Sequence, residues 1–190
     1  MYTEGIGMEA MKLRCVSIVW TFLFSVALSG SAIAQQRHAL IISAENVKSR
    51  YVQQLSIDVD DVAGHQVRVF EFQRVFPVGA QPVVDGEKVV EQWGRGFSNY
   101  ANGVGPAWNY TTYITDKGNK IFAQSIGTSD TKVRNNGSRY GSYHGTSQMV
   151  GGTGRFAKIR GTFVDVSEFD TDPSNGFTTG TSRGEYWFGE

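Results

Sequence analysis

Several ionisable side chains lie on stretches whose alternate neighbours are apolar or aromatic, and these are the candidates for chemistry. Glu71 shares a face of one such stretch with Val69, and Arg183 and Glu185 share a face with Trp187. A carboxylate enclosed among apolar groups has a raised pKa and can act as a general acid or base. An arginine beside it can hold an oxyanion or a ligand carboxylate. We therefore take Glu71, Arg183 and Glu185 as the candidate catalytic residues.

Four further side chains are candidates for ligand binding. Asn109 and Tyr113 share a strand face and can donate hydrogen bonds, while Trp93 and Trp187 offer flat apolar surfaces to a ligand. A second interpretation stays open for all of these residues. The charged groups would then pair across neighbouring strands in solvent, and the aromatic rings would pack in the core.

The sequence argues against several other kinds of site. The three histidines, His38, His65 and His144, are not at metal-ligand spacing. Gly152-x-Gly154 is not followed by a helical pattern, so it is not a dinucleotide-binding motif. We therefore expect no metal and no cofactor. Any enzymatic activity would be a cofactor-independent cyclisation or isomerisation.

Charge and composition limit the partners. The 190 residues include 18 basic and 18 acidic side chains, so the formal net charge is zero. A nucleic-acid-binding protein needs a basic face to meet phosphates, so nucleic acid is not an expected partner. Apolar residues make up 40% of the chain, which is enough to build a core.

The N-terminal segment has the pattern of a secretory signal peptide. The basic stretch Met11–Arg14 precedes the apolar run Val16–Leu28, and Ala32-Ile33-Ala34 matches an A-x-A cleavage site. The apolar run is too short to span a membrane comfortably. We expect residues 1–34 to be signal peptide and leader, with cleavage after Ala34. Residues 35–190 would form one domain in the periplasm or outside the cell, without stable membrane insertion. The single cysteine, Cys15, would leave with the signal peptide.

The rest of the chain alternates with period two between turn residues, which is typical of β-strands. A turn or two of helix within Leu40–Arg50 is the best helical candidate. Eight strands of about ten residues, joined in sequence, predict an antiparallel up-and-down β-barrel, with a two-sheet sandwich as the alternative. The predicted strands are Tyr51–Asp60, His65–Val75, Glu87–Tyr100, Ala107–Thr115, Asn119–Thr128, Gly141–Val150, Ile159–Phe169 and Phe177–Phe188.

The stretch between the sixth and seventh predicted strands carries a distinctive glycine-rich turn. It reads Val150-Gly151-Gly152-Thr153-Gly154-Arg155-Phe156, followed by Arg160-Gly161. This resembles the V-G-G-T-G-x-F turn and following A-R-G of the allene oxide cyclase and dirigent barrel group. Ile159 stands where that group has alanine. We take Gly151, Gly152 and Gly154 as a structural turn, because glycines allow positive φ and close strand crossing.

The resemblance implies an eight-stranded barrel, often trimeric, that holds a small ligand in its interior and works without a cofactor. The first functional hypothesis is thus an exported barrel that binds an apolar or aromatic molecule, with cyclisation or isomerisation of that ligand as its activity. The alternative is a non-catalytic structural or interaction barrel with a filled core at the cell envelope. The state of the interior discriminates between the two.

Overall fold

The computed structural model describes residues 35–170 and 176–190. The predicted signal peptide, its cleavage site and most of the predicted turn Asp172–Gly176 lie outside these ranges. Within them, no helix is long and apolar enough to cross a membrane. A short 3₁₀ turn spans Gly154–Phe156. The strands are β1 (His38–Asp58), β2 (His65–Val75), β3 (Val83–Val84), β4 (Glu87–Ala101), β5 (Val104–Thr115), β6 (Lys120–Val133), β7 (Arg139–Gly152), β8 (Ile159–Asp170) and β9 (Gly176–Phe188).

Eight of these strands form a closed ring of antiparallel neighbours. From β4 to β9 each strand pairs with the next, β9 pairs with β1, β1 pairs with β2, and β2 pairs with β4. The two-residue β3 lies beside the start of β4. The predicted all-β class and the eight hydrogen-bonded strands are therefore confirmed. Because the ring leaves none of its eight strands with an unpaired neighbour, no long sheet edge remains to be protected.

The prediction of a helical turn within Leu40–Arg50 is wrong, because this stretch belongs to the 21-residue strand β1. Its first half pairs with β9 and its second half with β2, so it is the strand that completes the ring. Leu40, Ile42 and Ala44 alternate into the interior and are buried. A register shift between Ala44 and Val47 then brings Val47 inward as well. Pairing on both sides outweighs the weak local preference for helix.

The two ends of the ring differ in how they are filled. The connections β2–β4, β5–β6 and β7–β8 meet at one end, which we call the closed end. The apolar core lies there and fills the interior between the strands. Its fully buried members are Leu40, Val47, Val84, Val89, Ile121, Ala123, Phe156 and Ile159. The connections at residues 59–64, 102–103 and 134–138 meet at the opposite end, which we call the mouth.

The glycine-rich turn joins β7 to β8 at the closed end and places Phe156 in the core. Gly151 and Gly154 have φ of 148° and 56°, a region that glycine tolerates far better than other residues. Gly152 is needed for space, since a Cβ there would lie 2.3 Å from the backbone oxygen of Lys120 on β6. The turn is therefore a packing device that lets two strands and an aromatic ring come together.

Replacing Gly152 by alanine should lower the free energy of unfolding by about 2 kcal/mol or more, because the methyl group meets rigid backbone. Urea unfolding followed by tryptophan fluorescence measures this loss. Gly189→Ala is the matched control, because a Cβ there would meet its nearest atom at an ordinary 3.5 Å. Equal stability of the two variants would contradict the close approach at Gly152.

Candidate functional site

The interior of the ring above the core contains a cavity of about 110 Å³. Aromatic side chains of β2 and β5 line it, among them Phe70, Phe72 and Tyr113. The cavity continues into a wider opening of about 600 Å³ at the mouth. Tyr51, Arg68, Tyr100, Ser129 and Phe169 line both spaces. The cavity therefore adjoins an opening at the mouth, while the apolar core fills the other end.

Asp165 and Asp170 on β8 are the two carboxyl groups that line this cavity, and Asp170 forms an ion pair with Arg134. Ser147 donates a hydrogen bond to Oδ2 of Asp165 and Ser182 donates one to Oδ1. The Ser125 and Ser147 hydroxyls lie 2.6 Å apart, so Ser125 donates to Ser147 and the three groups form a chain. Burial raises the pKa of Asp165, and the two serine hydrogen bonds oppose this rise only in part. A carboxyl group with a raised pKa in a cleft is suited to acid–base chemistry.

Arg74 on β2 brings a positive charge into the same cavity. Its guanidinium carbon lies 4.6 Å from the centre of the Phe72 ring, and Nη1 donates to the Gln92 side-chain oxygen at 3.3 Å. The buried Nε has no hydrogen-bond acceptor among the described residues. Burial lowers the pKa of Arg74, and Tyr113, Tyr51 and Asp165 counteract this electrostatically. The guanidinium still stays charged at neutral pH, since its pKa starts so high.

Other polar groups of the interior also lack partners. Tyr143 Oη and Asn109 Oδ1 are buried and have no hydrogen-bond partner within the described part of the chain. The amide nitrogen of Asn109 donates to Thr111 Oγ1 at 2.8 Å, so Oδ1 is the amide atom without a partner. Burial raises the pKa of both Tyr113 and Tyr143, which keeps their hydroxyls protonated as donors. Because unpaired buried polar atoms are costly, their presence in one cavity favours a ligand site.

Two of the residues predicted from the sequence lie in this cavity. Asn109 and Tyr113 both point inward from β5 and line it together. Trp93 and Trp187 lie instead on the outer face of the ring. The Trp93 indole donates to Glu91 at 3.0 Å, and the guanidinium of Arg37 lies 4.6 Å from the centre of the Trp187 ring.

The three predicted catalytic residues also lie on the outer face, and the structure does not bring them together with Asn109 and Tyr113. Glu71 accepts from Arg95 Nε at 2.7 Å, in a cross-strand ion pair between β2 and β4. Glu185 pairs with Arg37, and Arg183 is exposed opposite Val164 of β8. Of the three, only Glu71 forms the cross-strand ion pair that the alternative interpretation of these charges described.

Asp165, Arg74 and Tyr143 are site residues that the sequence reasoning missed. Alternation offered a signal for two of them. Asp165 shares a strand face with Phe163 and Phe169, and Arg74 shares one with Phe70 and Phe72. A strand face with several aromatic residues and one charged residue is typical of an interior polar site. Glu71 and its valine neighbours form a similar apolar face with one charge, so the pattern alone does not separate the two faces.

Residues 35–170 and 176–190 hold no group of three or more His, Cys, Asp or Glu side chains placed to bind a metal ion. Comparison of the chain with family models, with curated proteins and with solved structures finds no match.

Proposed function

We propose that the ring is an up-and-down β-barrel of an exported protein and that it binds one small apolar or aromatic molecule in its interior. The observation that carries this proposal is the cavity, which joins aromatic walls, partnerless polar atoms and an open mouth. Aromatic walls supply binding energy by removing ligand surface from water, and a few polar groups orient the ligand. This is the first of the two hypotheses drawn from the sequence, and the cavity is the binding site proposed for it.

The size of the cavity limits the ligand. Its 110 Å³ is well below the range of about 300–1,000 Å³ typical of ligand pockets. It is closer to the engineered cavity of about 150 Å³ in another protein that binds benzene. A molecule with a single ring therefore fits the enclosed part, and any longer substituent would extend into the mouth.

The chemistry of the cavity favours a cofactor-free isomerisation or cyclisation, with Asp165 as its acid–base group. Such a reaction changes no atom count: one proton is donated at one atom of the ligand and one is removed from another. A carboxyl group whose pKa is raised by burial is suited to both steps, and the hydrogen bonds from Ser147 and Ser182 hold it in one orientation. The walls restrict the ligand to one conformer, which lowers the entropic part of the barrier.

Filling the cavity tests the binding proposal. Native mass spectrometry of the protein purified gently from its own host should show a reproducible extra mass per subunit. Ala44 lines the cavity, so Ala44→Phe should reduce the occupied fraction about tenfold or more by occupying the same space. Ala39→Phe is the matched control, because Ala39 is exposed on the same strand. An adduct that survives Ala44→Phe would place the ligand elsewhere and contradict the proposal.

One observation favours the second hypothesis, an interaction barrel. Apolar side chains form a row across the outer face, in register from strand to strand and largely exposed: Leu55, Val69, Phe97 and Ile126, with Trp108 between the last two. Such a row suits association with further copies of this chain. Under this hypothesis, native mass spectrometry finds no ligand adduct. Analytical ultracentrifugation shows an oligomer of the unchanged protein, and the Ile126→Lys variant sediments as a monomer.

A further inference from the structure

The positive charge of Arg74 is not balanced within the cavity by a close ion pair. No carboxylate among the described residues lies within 4.0 Å of its guanidinium, whereas other arginine and lysine side chains make seven such contacts. The Asp165 carboxyl group stabilises the positive charge of Arg74 electrostatically, but each of its oxygens already accepts a hydrogen bond from a serine. Arg74 is partly buried, and a charge held away from water without a close partner is costly, so its retention calls for a function.

The surroundings of Arg74 leave one part of the guanidinium available. Nη1 donates a hydrogen bond to Gln92, and the Phe72 ring covers one face of the guanidinium group. The buried Nε has no hydrogen-bond acceptor in the described ranges. A planar guanidinium binds a carboxylate through two neighbouring N–H groups.

A second arginine, Arg68, repeats this arrangement nearer the mouth. Its guanidinium carbon lies within 5.1–5.6 Å of the ring centres of Tyr51, Phe70 and Tyr100, and its Nε is also buried without an acceptor. Three arginines (Arg50, Arg68 and Arg74) and two carboxyl groups (Asp165 and Asp170) line the cavity, and this excess of positive charge makes the path into it electropositive. Such a path attracts an anion and guides it inward.

We propose that the ligand of the cavity is a small aromatic monocarboxylate, with its carboxylate on Arg74 and its ring among Phe70, Phe72 and Tyr113. This inference rests on the proposed function and adds the chemical class of its ligand. A single negative charge is favoured over a dianion because the Asp165 carboxyl lies in the same space and would repel the second charge. A flat ring is favoured because aromatic side chains, among them Phe70, Phe72 and Tyr113, line the cavity.

Isothermal titration with matched acids and amides tests this assignment. Benzoate and cinnamate are compared with benzamide and cinnamamide, which have the same shape and no charge. We expect the acids to bind about tenfold tighter or more, because hydrogen bonds to charged groups are the stronger ones. Arg74→Gln should remove that preference, and Arg74→Lys should keep part of it. Arg160→Gln, which removes an equal charge from an exposed position, should leave it unchanged.

Each outcome bears on one proposal. Equal binding of acids and amides overturns the monocarboxylate and leaves the binding barrel intact. Failure of every compound to bind, together with an absent native adduct, overturns the proposed function itself. An acid preference that survives in a folded Arg74→Gln protein overturns the role of Arg74. If that variant does not fold, the acid–amide comparison in the unchanged protein and in Arg74→Lys still decides the question.

Discussion

Replacing Phe156 by alanine is expected to lower the free energy of unfolding by about 3–5 kcal/mol, the usual cost of removing a fully buried phenylalanine. Phe156 is 0% exposed and lies at the centre of the closed end, where its ring stacks on Phe188 with 6.4 Å between centres. The tight glycine turn holds its backbone in place, so the neighbours have little freedom to collapse into the space. Urea unfolding of the parent and the variant measures the loss.

Phe97→Ala is the matched control for this experiment. Phe97 is 49% exposed on the outer face and has its main aromatic contact with Trp108, at 6.0 Å between ring centres. Its removal should cost about 1 kcal/mol, in line with an aromatic pair at the surface. Similar losses for the two variants would show that the closed end is not the main apolar core of the ring.

Replacing Glu87 by glutamine is expected to lower the melting temperature at pH 7 by about 5 °C or more, because it breaks a buried network. Glu87 is 1% exposed at the start of β4. Thr115 donates to Oε2 at 2.6 Å, and Asn119 donates at 3.1 Å. Lys117 and Arg155 lie 4.0 and 3.9 Å from Oε1. The amide NH2 of glutamine would face the Thr115 and Asn119 donors. Lys117 and Arg155 would also lose the nearby negative charge of Glu87.

The pH dependence of this loss has a definite sign. Thr115 above all, then Asn119 and the two cations, hold the pKa of Glu87 below its ordinary value despite its burial. A lowered pKa in the folded state means that the stabilisation is complete above the unfolded-state value of about 4.3. It is lost as the pH falls through the folded-state value.

Melting curves at pH 7 and pH 3 test this sign. The difference between parent and Glu87→Gln should be large at pH 7 and should narrow at pH 3. Glu45→Gln is the control, since Glu45 is an exposed carboxylate on β1. A difference that stays the same at both pH values would mean that Glu87 does not act through its charge.

Several turns could be predicted from the sequence because their chemistry is local. Asp116-Lys117-Gly118 is a turn sequence between two predicted strands, and it connects β5 to β6. The turn sequence Asn102–Pro106 is longer than the connection that forms, because β5 begins at Val104. The predicted strands Asn119–Thr128 and Gly141–Val150 are likewise too short, because β6 continues to Val133 and β7 begins at Arg139. Strand pairing extends as far as backbone partners exist, which polarity alone does not reveal.

The candidate site shows the limit of alternation as evidence. Period two assigns Phe70, Phe72 and Arg74 to one face of β2 and Val69 and Glu71 to the other, but both faces are partly apolar. The structure puts the aromatic face inside, and Glu71 pairs with Arg95 outside. In the same way it places Asp165 in the cavity between two valines that are exposed.

The sequence by itself determined the all-β class, most strand positions and the two residue sets that alternate along each strand, because these follow from local turn chemistry and the geometry of an extended chain. Only the tertiary structure decided that Leu40–Arg50 is a strand and that Asp165, Arg74 and Tyr113 share one cavity. These features depend on contacts between residues far apart in the chain. Such contacts exist only when β1 meets both β2 and β9 and the ring closes.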